Sequence, residues 1–216
     1  MSAQVEINGF PVIDMKLCLP RCGVWHADLS VASEQELSGQ VSLTMVDGLQ
    51  LSGFVTTGRV RSDVGVYRIV GGRGGMQKVI SPRSYQNVTA RIVLGDILAS
   101  VGETLSSTAD ATALATVLPL WVVRSQACGR AVSDLATKLG VESWRMLVDG
   151  TVWLGREQWP KAADALILVR DDRLETVEAD QLTPTLAAGQ VIDGRRASYV
   201  EWKLMESDLR AKAWLE

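Results

Sequence analysis

Histidine is nearly absent: His26 is the only one among 216 residues. Chemistry that needs two imidazoles is thereby excluded, including most histidine-rich zinc sites. Cysteine is scarce and odd in number, with Cys18, Cys22 and Cys128. Three thiols make no disulfide framework and suit a reducing compartment, so the chain is expected to be made in a cytoplasm and to be soluble there. Neither sign of charge dominates, because 22 Lys and Arg against 25 Asp and Glu leave −3. That is neither a globally basic nucleic-acid binder nor an acidic tail. Long apolar runs are missing as well. The longest extends from Ala115 to Val123 and is broken by Pro119, whereas a membrane helix needs about 20 apolar residues. Met1 to Asn8 hold no basic stretch followed by an apolar one, so no secretory signal is expected.

What remains is ordinary in bulk and odd in one detail. Hydrophobic residues at 47% and charged residues at 22% are globular values, which excludes disorder. The oddity is seven tryptophans against three tyrosines and two phenylalanines.

The first part of the chain patterns as β. Val5 to Ile7 and Pro11 to Leu19 flank Asn8-Gly9, a type I′ hairpin signal. From Val24 to Val31 apolar Trp25, Ala27, Leu29 and Val31 alternate with His26, Asp28 and Ser30, the period of a half-buried strand. Val41 to Val46 and Leu49 to Thr57 flank Asp47-Gly48, and Val64 to Val70 adds another strand. The middle turns helical. Thr89 can cap a helix carrying Ile92, Val93, Ile97, Leu98 and Val101, stopped by Gly102. Ser107 and Asp110 resemble a capping box for a second helix with Leu114, Val117 and Leu118, ended by Pro119. A third helix is predicted from about Gln126 to Leu139, with Ser125 as N-cap and Gly140 as its stop.

A hairpin follows: Trp144 to Val148, Asp149-Gly150, Thr151 to Gly155. With a two-residue turn, Met146 faces Trp153 and Leu147 faces Val152, which leaves both faces apolar. The tail returns to β at Leu166 to Val169, Leu174 to Ala179, Ala197 to Met205 and Leu209 to Leu215, with turns at Asp193-Gly194 and Ser207-Asp208.

Chemistry-bearing clusters are few. Cys18, Cys22 and His26 recur every four residues, but Pro20 and Gly23 interrupt them and no fourth Cys or His lies near. Gly71 to Gly75 encloses Arg73 between glycines without the Gly-Lys-Ser/Thr ending of a phosphate loop, and is read as a mobile surface loop or wide turn. Arg59 to Arg91 is locally basic, with seven Lys and Arg against Asp63 alone. Its aromatics are thin, so a solvated strand face is preferred over a nucleic-acid patch. Asp171-Asp172 fits a solvated turn. No Gly-x-Ser-x-Gly elbow exists. No catalytic, cofactor-binding or metal-ligating residue is assigned, and the chain is not expected to be an enzyme.

Two segments carry a resemblance. The helix Gly129 to Leu139 ends in Leu139-Gly140, and then comes a hairpin with Asp149-Gly150, Val152 and Leu154-Gly155. Further on stand Leu186 to Gly189, Val191 to Gly194, Tyr199 to Trp202 and Leu209 to Lys212. Together they resemble bacteriophage tail and baseplate hub proteins, which are related to the core of type VI secretion spikes. Ala188 stands where such hubs usually have proline, and Trp202 where histidine is common. The resemblance is strongest over residues 126–216 and softer over 41–105.

The resemblance implies a mostly β (α+β) fold of tube-type antiparallel β-barrel or sandwich domains with a small helical segment in the middle. The expected units are an N-terminal β domain (1–88), helices plus a hairpin (89–155), and a C-terminal β domain (156–216) packing with the first. It also implies a homotrimeric ring joining the tail tube to the central spike and other baseplate proteins. DNA would pass its lumen without sequence-specific binding. The ring would be a virion component assembled in the host bacterial cytoplasm, without cofactor or membrane insertion. The rival readings are a distal tail or tube-initiator protein, a tail-associated wall hydrolase, and a glycan-binding module. Several tryptophans are expected at domain or subunit contacts.

Overall fold

The computed structural model describes residues 5–46, 48–156, 167–179, 186–205 and 208–216. Strand β1 (Glu6–Ile7) turns into β2 (Phe10–Pro20) through Asn8 and Gly9, whose φ values of 49° and 82° are those of a type I′ turn. Then come β3 (His26–Ala32), β4 (Gly39–Thr44), β5 (Gln50–Arg61) and β6 (Val64–Gly71). Trp25, Ala27, Leu29 and Val31 are buried, as the alternation requires. The order β1-β4-β5-β6-β3-β2 closes on itself, because Ile7 pairs with Leu43 on one side and Phe10 on the other. The result is a six-stranded antiparallel barrel.

Two aromatic rings lie over glycine pairs in its wall. Gly53 and Gly71 face each other in β5 and β6, and Trp25 covers them; a Cβ on either would lie 2.6 or 2.5 Å from its indole. Tyr67 faces Gly58 and lies over Gly65 in the same way. Its hydroxyl accepts from Leu37 N (3.1 Å) and donates to Gln35 O (3.3 Å), tying the β3–β4 connection to the wall.

The middle segment stacks on one side of the barrel. It comprises β7 (Val79–Ile80), β8 (Arg83–Thr89), α1 (Ala90–Val101), α2 (Ala111–Leu114), β9 (Val117–Val123), β10 (Gln126–Ala127), α3 (Cys128–Leu139), β11 (Ser143–Met146) and β12 (Val152–Gly155). Helix α1 buries Ala90, Val93, Leu94, Ile97, Leu98 and Val101, so Leu94 belongs to the core stripe and Ile92 is exposed. Thr89 makes no side-chain cap; Ala90 N–H donates to Thr116 O instead. Gly102 and Gly140 end α1 and α3 in left-handed conformations, each with the paired backbone bonds of a Schellman motif.

Three expectations fail here. The second helix stops at Leu114, and Val117 to Val123 is a strand paired with β8, with Pro119 inside it. Leu114, Val117 and Leu118 happen to carry helical spacing, but Pro119 and the strand-favouring Trp121, Val122 and Val123 decide the local structure. The third helix starts at Cys128 rather than Gln126, because Gln126 and Ala127 pair with Ile80 and Val79; Ala127, not Ser125, is its N-cap. The β11–β12 hairpin is one residue out of the expected register. Met146 pairs with Val152, Arg145 with Trp153 and Trp144 with Leu154. The loop has three residues, bounded by Leu147 N→Thr151 O (2.8 Å), with Gly150 at φ 80°. A one-residue slip exchanges faces on one strand. Trp144, Met146, Val152 and Leu154 therefore share a buried face, while Arg145 lies on the Trp153 ring at 5.1 Å on the other. The hairpin is not apolar on both sides.

The C-terminal strands are β13 (Ile167–Asp171), β14 (Thr176–Ala179), β15 (Val191–Ile192), β16 (Arg195–Met205) and β17 (Asp208–Leu215). Asp193 and Gly194, with φ of 49° and 80°, turn β15 into β16. The order β2-β16-β17-β14-β13 continues the barrel sheet outward. Strand β2 is shared. Its first residues pair with β1, and Met15 to Pro20 pair with β16. Asp47, Leu166 and Ser207, named above in turns and a strand, lie outside the described residues.

Candidate assembly surfaces

The clusters singled out in the sequence separate in space. Cys18 on β2 faces His26 on β3, but Cys18 is buried and Cys22 is exposed in the turn. Among the described residues no three His, Cys, Asp or Glu could hold a metal ion. Burial pushes the Cys18 thiol up and the His26 imidazole down, the latter helped by Arg68. Asp171 accepts from Arg173 N (2.9 Å) and Leu174 N (3.0 Å), and Asp172 pairs with Arg170 (2.7 Å), so this pair shapes a turn.

The glycine run is a packed anion nest in a turn directly after β6, which fits its reading as a wide turn and corrects the alternative of a mobile surface loop. Gly71, Gly72 and Gly75 are buried. Arg73 N donates to both carboxylate oxygens of Glu103 (3.1 and 3.2 Å), and Gly75 N to one of them (2.7 Å). The Schellman turn after α1 delivers Glu103, itself only 5% exposed, to that point. The anion in the cradle is thus the protein's own carboxylate, and it binds the helical segment to the barrel. No sequence signal joined Glu103 to a loop some thirty positions earlier.

The second surface is the outward face of the sheet. Lys16, Lys203, Lys212 and Arg210 interleave there with Asp28, Glu178, Glu201 and Asp208. Lys16 and Lys203 stand directly opposite each other, as do Lys203 and Arg210. Glu201 relieves the first repulsion: its two oxygens meet Lys16 Nζ at 2.9 Å and Lys203 Nζ at 3.2 Å. Burial alone would push the Glu201 carboxyl up, but the two lysine hydrogen bonds and charges outweigh it and hold it low. The hydrogen bond to Glu201 also raises Lys16. Lys212 bonds Glu178 at 3.2 Å, and Arg210 bonds Asp208 at 2.7 Å. On β2, β3, β14, β16 and β17 the face is densely charged and balanced, with four basic against four acidic residues. Of the basic stretch, Arg59, Arg61 and Arg68 continue this face on β5 and β6, whereas Arg83 and Arg91 belong to the helical segment.

Exposed apolar residues form two further patches. One is Val117, Leu120 and Val122 on β9, and the other is Leu168, Val169 and Leu174 on the β13–β14 hairpin. Three of the seven tryptophans, Trp25, Trp144 and Trp202, are buried in the chain's own core. Trp25 and Trp144 nonetheless sit where the barrel meets the helical segment, since Trp144 O accepts from Gly23 N (2.8 Å). No helix among the described residues is long and apolar enough to cross a membrane.

The chain is thus a closed antiparallel barrel whose sheet runs on edge-on through the C-terminal strands, with a helical segment between them in sequence. No protein-family model and no curated protein sequence matches the chain. Solved structures do. The 43 kDa tail protein of prophage MuSo2 from Shewanella oneidensis superposes with a TM-score of 0.73 over 100% of this chain and 96% of that one, at 9% identity. A tail protein from Neisseria meningitidis MC58 gives 0.69 over 99% and 95%, at 10% identity. A type VI secretion component from E. coli, itself similar to the T4 tail proteins gp27 and gp5, gives 0.65 over 99% and 77%, at 12% identity. At these identities the likeness is one of fold, and it is the mostly β fold that the resemblance implied.

Proposed function

We propose that this chain is a structural protein of a phage-type tail, a hub at the baseplate or tail tip that joins the tail tube to the central spike. It acts by assembly rather than catalysis, as a homotrimeric ring without a cofactor, built in the bacterial cytoplasm and retained in the particle. Its working units are residues 1–88, 89–155 and 156–216. The observation that carries the reading is the two-way coverage of the tail proteins: the whole chain aligns with nearly the whole of each. The sheet supports it. A ring wall needs one broad sheet with a buried and a polar face, and the strands from β5 to β14 provide both.

The paired charges on β2, β14, β16 and β17 suit a lumen. Phosphate backbones are held by uncompensated cations, and here the lysines are engaged by Glu201 and Glu178. DNA would slide past such a wall without sequence-specific binding. The test is quantitative mass spectrometry of purified particles, with three copies expected. Six copies would favour a tube-initiator or distal tail role. Absence from particles would overturn the proposal.

A further inference from the structure

The outward face of the sheet is not uniform in charge. Lys16, Lys203, Lys212 and Arg210 are each held by a carboxylate, from Glu201, Glu178 or Asp208. The far end of β5 differs. The strand runs on past Val55, which pairs with Gly39 at the start of β4, and from there pairs only with β6. Gly58 and Val60 turn to the Tyr67 side, so Arg59 and Arg61 project from the opposite, outward face, where Val66 is also exposed. Both arginines are exposed, and among the described residues neither has an ion-pair or side-chain hydrogen-bond partner. Asp63, in the turn between the strands, is the only carboxylate from Gln50 to Gly71, and it pairs with neither. Glu34 and Glu36, on the connection that Tyr67 holds, form no ion pair with them either. Arg68, on the same face, reaches Asp28 only at 3.8 Å.

We infer that Arg59 and Arg61 grip the phosphate backbone of double-stranded DNA as it passes along this face. The inference rests on the lumen reading above and adds to it a point of contact. Three features favour a polyanion over a single acidic group. Both side chains are arginine, whose guanidinium stays charged and forks onto two phosphate oxygens. They stand two residues apart on an extended strand, about 6.8 Å. DNA carries a phosphate about every 3.4 Å of axis on each strand, so one backbone serves both. Thr57 is exposed on the same face one step nearer the barrel, and hydroxyls commonly donate to phosphate oxygens. A strand face with no helix or ribbon standing out from it enters no groove, so the grip is independent of sequence.

The experiment is fluorescence anisotropy of a labelled duplex titrated with the full chain over a range of salt. Each phosphate contact contributes about 0.9 to the slope of log affinity on log salt. Arg59→Gln with Arg61→Gln should therefore lower that slope by about 1.8 per bound copy and weaken binding at low salt. Arg59→Lys with Arg61→Lys keeps the charges and should keep the slope. Two duplexes of unrelated sequence should bind alike. A wild type that does not bind at low salt, a slope unmoved in the glutamine variant, or a slope lost equally in the lysine variant overturns the contact. A marked preference between the duplexes overturns the backbone assignment. So does displacement of the duplex by poly-glutamate at equal charge, which assigns the patch to an acidic polypeptide. Thermal melts check folding. Should the double variant unfold, Arg59→Gln and Arg61→Gln singly should each lower the slope by about 0.9, and a slope unmoved in both overturns the contact. The assay needs no ring. Three copies in particles without an arginine-dependent slope overturn this contact and leave the hub reading. An arginine-dependent slope in a protein absent from particles does the reverse.

Discussion

Replacing Glu103 should loosen the barrel from its helical segment. In Glu103→Ala the Gly75 N–H loses a 2.7 Å bond inside the protein, and Arg73 N–H loses contacts at 3.1 and 3.2 Å beside an exposed side chain. Hydrogen bonds to charged groups are worth about 1.5–3 kcal/mol, and the buried donor cannot recover its bond from water. The Arg73 donor can be rehydrated, so it adds about 0.5–1 kcal/mol. The loss totals about 3 kcal/mol, which for a chain of this size lowers the melting temperature by about 6–12 °C. Glu103→Gln keeps one acceptor for Gly75 but sets an amide donor against Arg73 N–H, so it should fall between wild type and Ala. Calorimetry with urea unfolding measures both. If Glu103→Ala melts within about 2 °C of wild type, the nest contributes nothing to stability and the reasoning fails.

Three further expectations follow from other contacts. Because Glu201 is held below the ordinary carboxylate range, its contribution is complete above that range and lost as pH falls through its own lowered value; Glu201→Gln should remove that part of the acid sensitivity seen in melts between pH 6 and 3, a window of about that span. Gly65→Ala puts a Cβ 2.4 Å from the Tyr67 ring and must displace it from Leu37 N, costing about 1–3 kcal/mol in urea unfolding. A thiol reagent at mildly alkaline pH should label Cys22 at once, while Cys18 and Cys128 react only on unfolding; both are buried, and burial with nearby Glu103 pushes the Cys128 thiol up to about 12.

What was legible in the sequence was local. Asn8-Gly9 and Asp193-Gly194 needed positive φ at both residues, and that composition marks such turns directly. Gly102 and Gly140 announced helix ends for the same reason. The strand pattern around Trp25 followed from alternation alone. The failures came where two local signals competed or where the partner was remote. Asp149-Gly150 fits both a two- and a three-residue loop, and the choice between them sets which face Trp153 occupies. Leu118 satisfies a helical and an extended pattern equally, and only its pairing with Val88 settles the matter. Barrel closure rests on the two residues of β1, which the hairpin signal marks, but their pairing with the remote β4 has no local signature. The exposed apolar residues of β9 and of the β13–β14 hairpin were hidden because exposure depends on what the rest of the chain covers.

The shared strand β2 also sets an order of manufacture. Its later half finds its partner β16 only after roughly 180 further residues have been made, which at typical synthesis rates takes roughly 10–35 s. Once β6 has been made the barrel can close through β1, yet Met15 to Pro20 present a bare edge to solvent until β16 follows. Lys16, near the start of that edge, is the kind of residue that discourages a stray strand from pairing there. Its charge would thus guard the nascent chain before Glu201 arrives to neutralise it. On the proposed ring, a chain still lacking β16 and β17 would offer no wall for a neighbour to join.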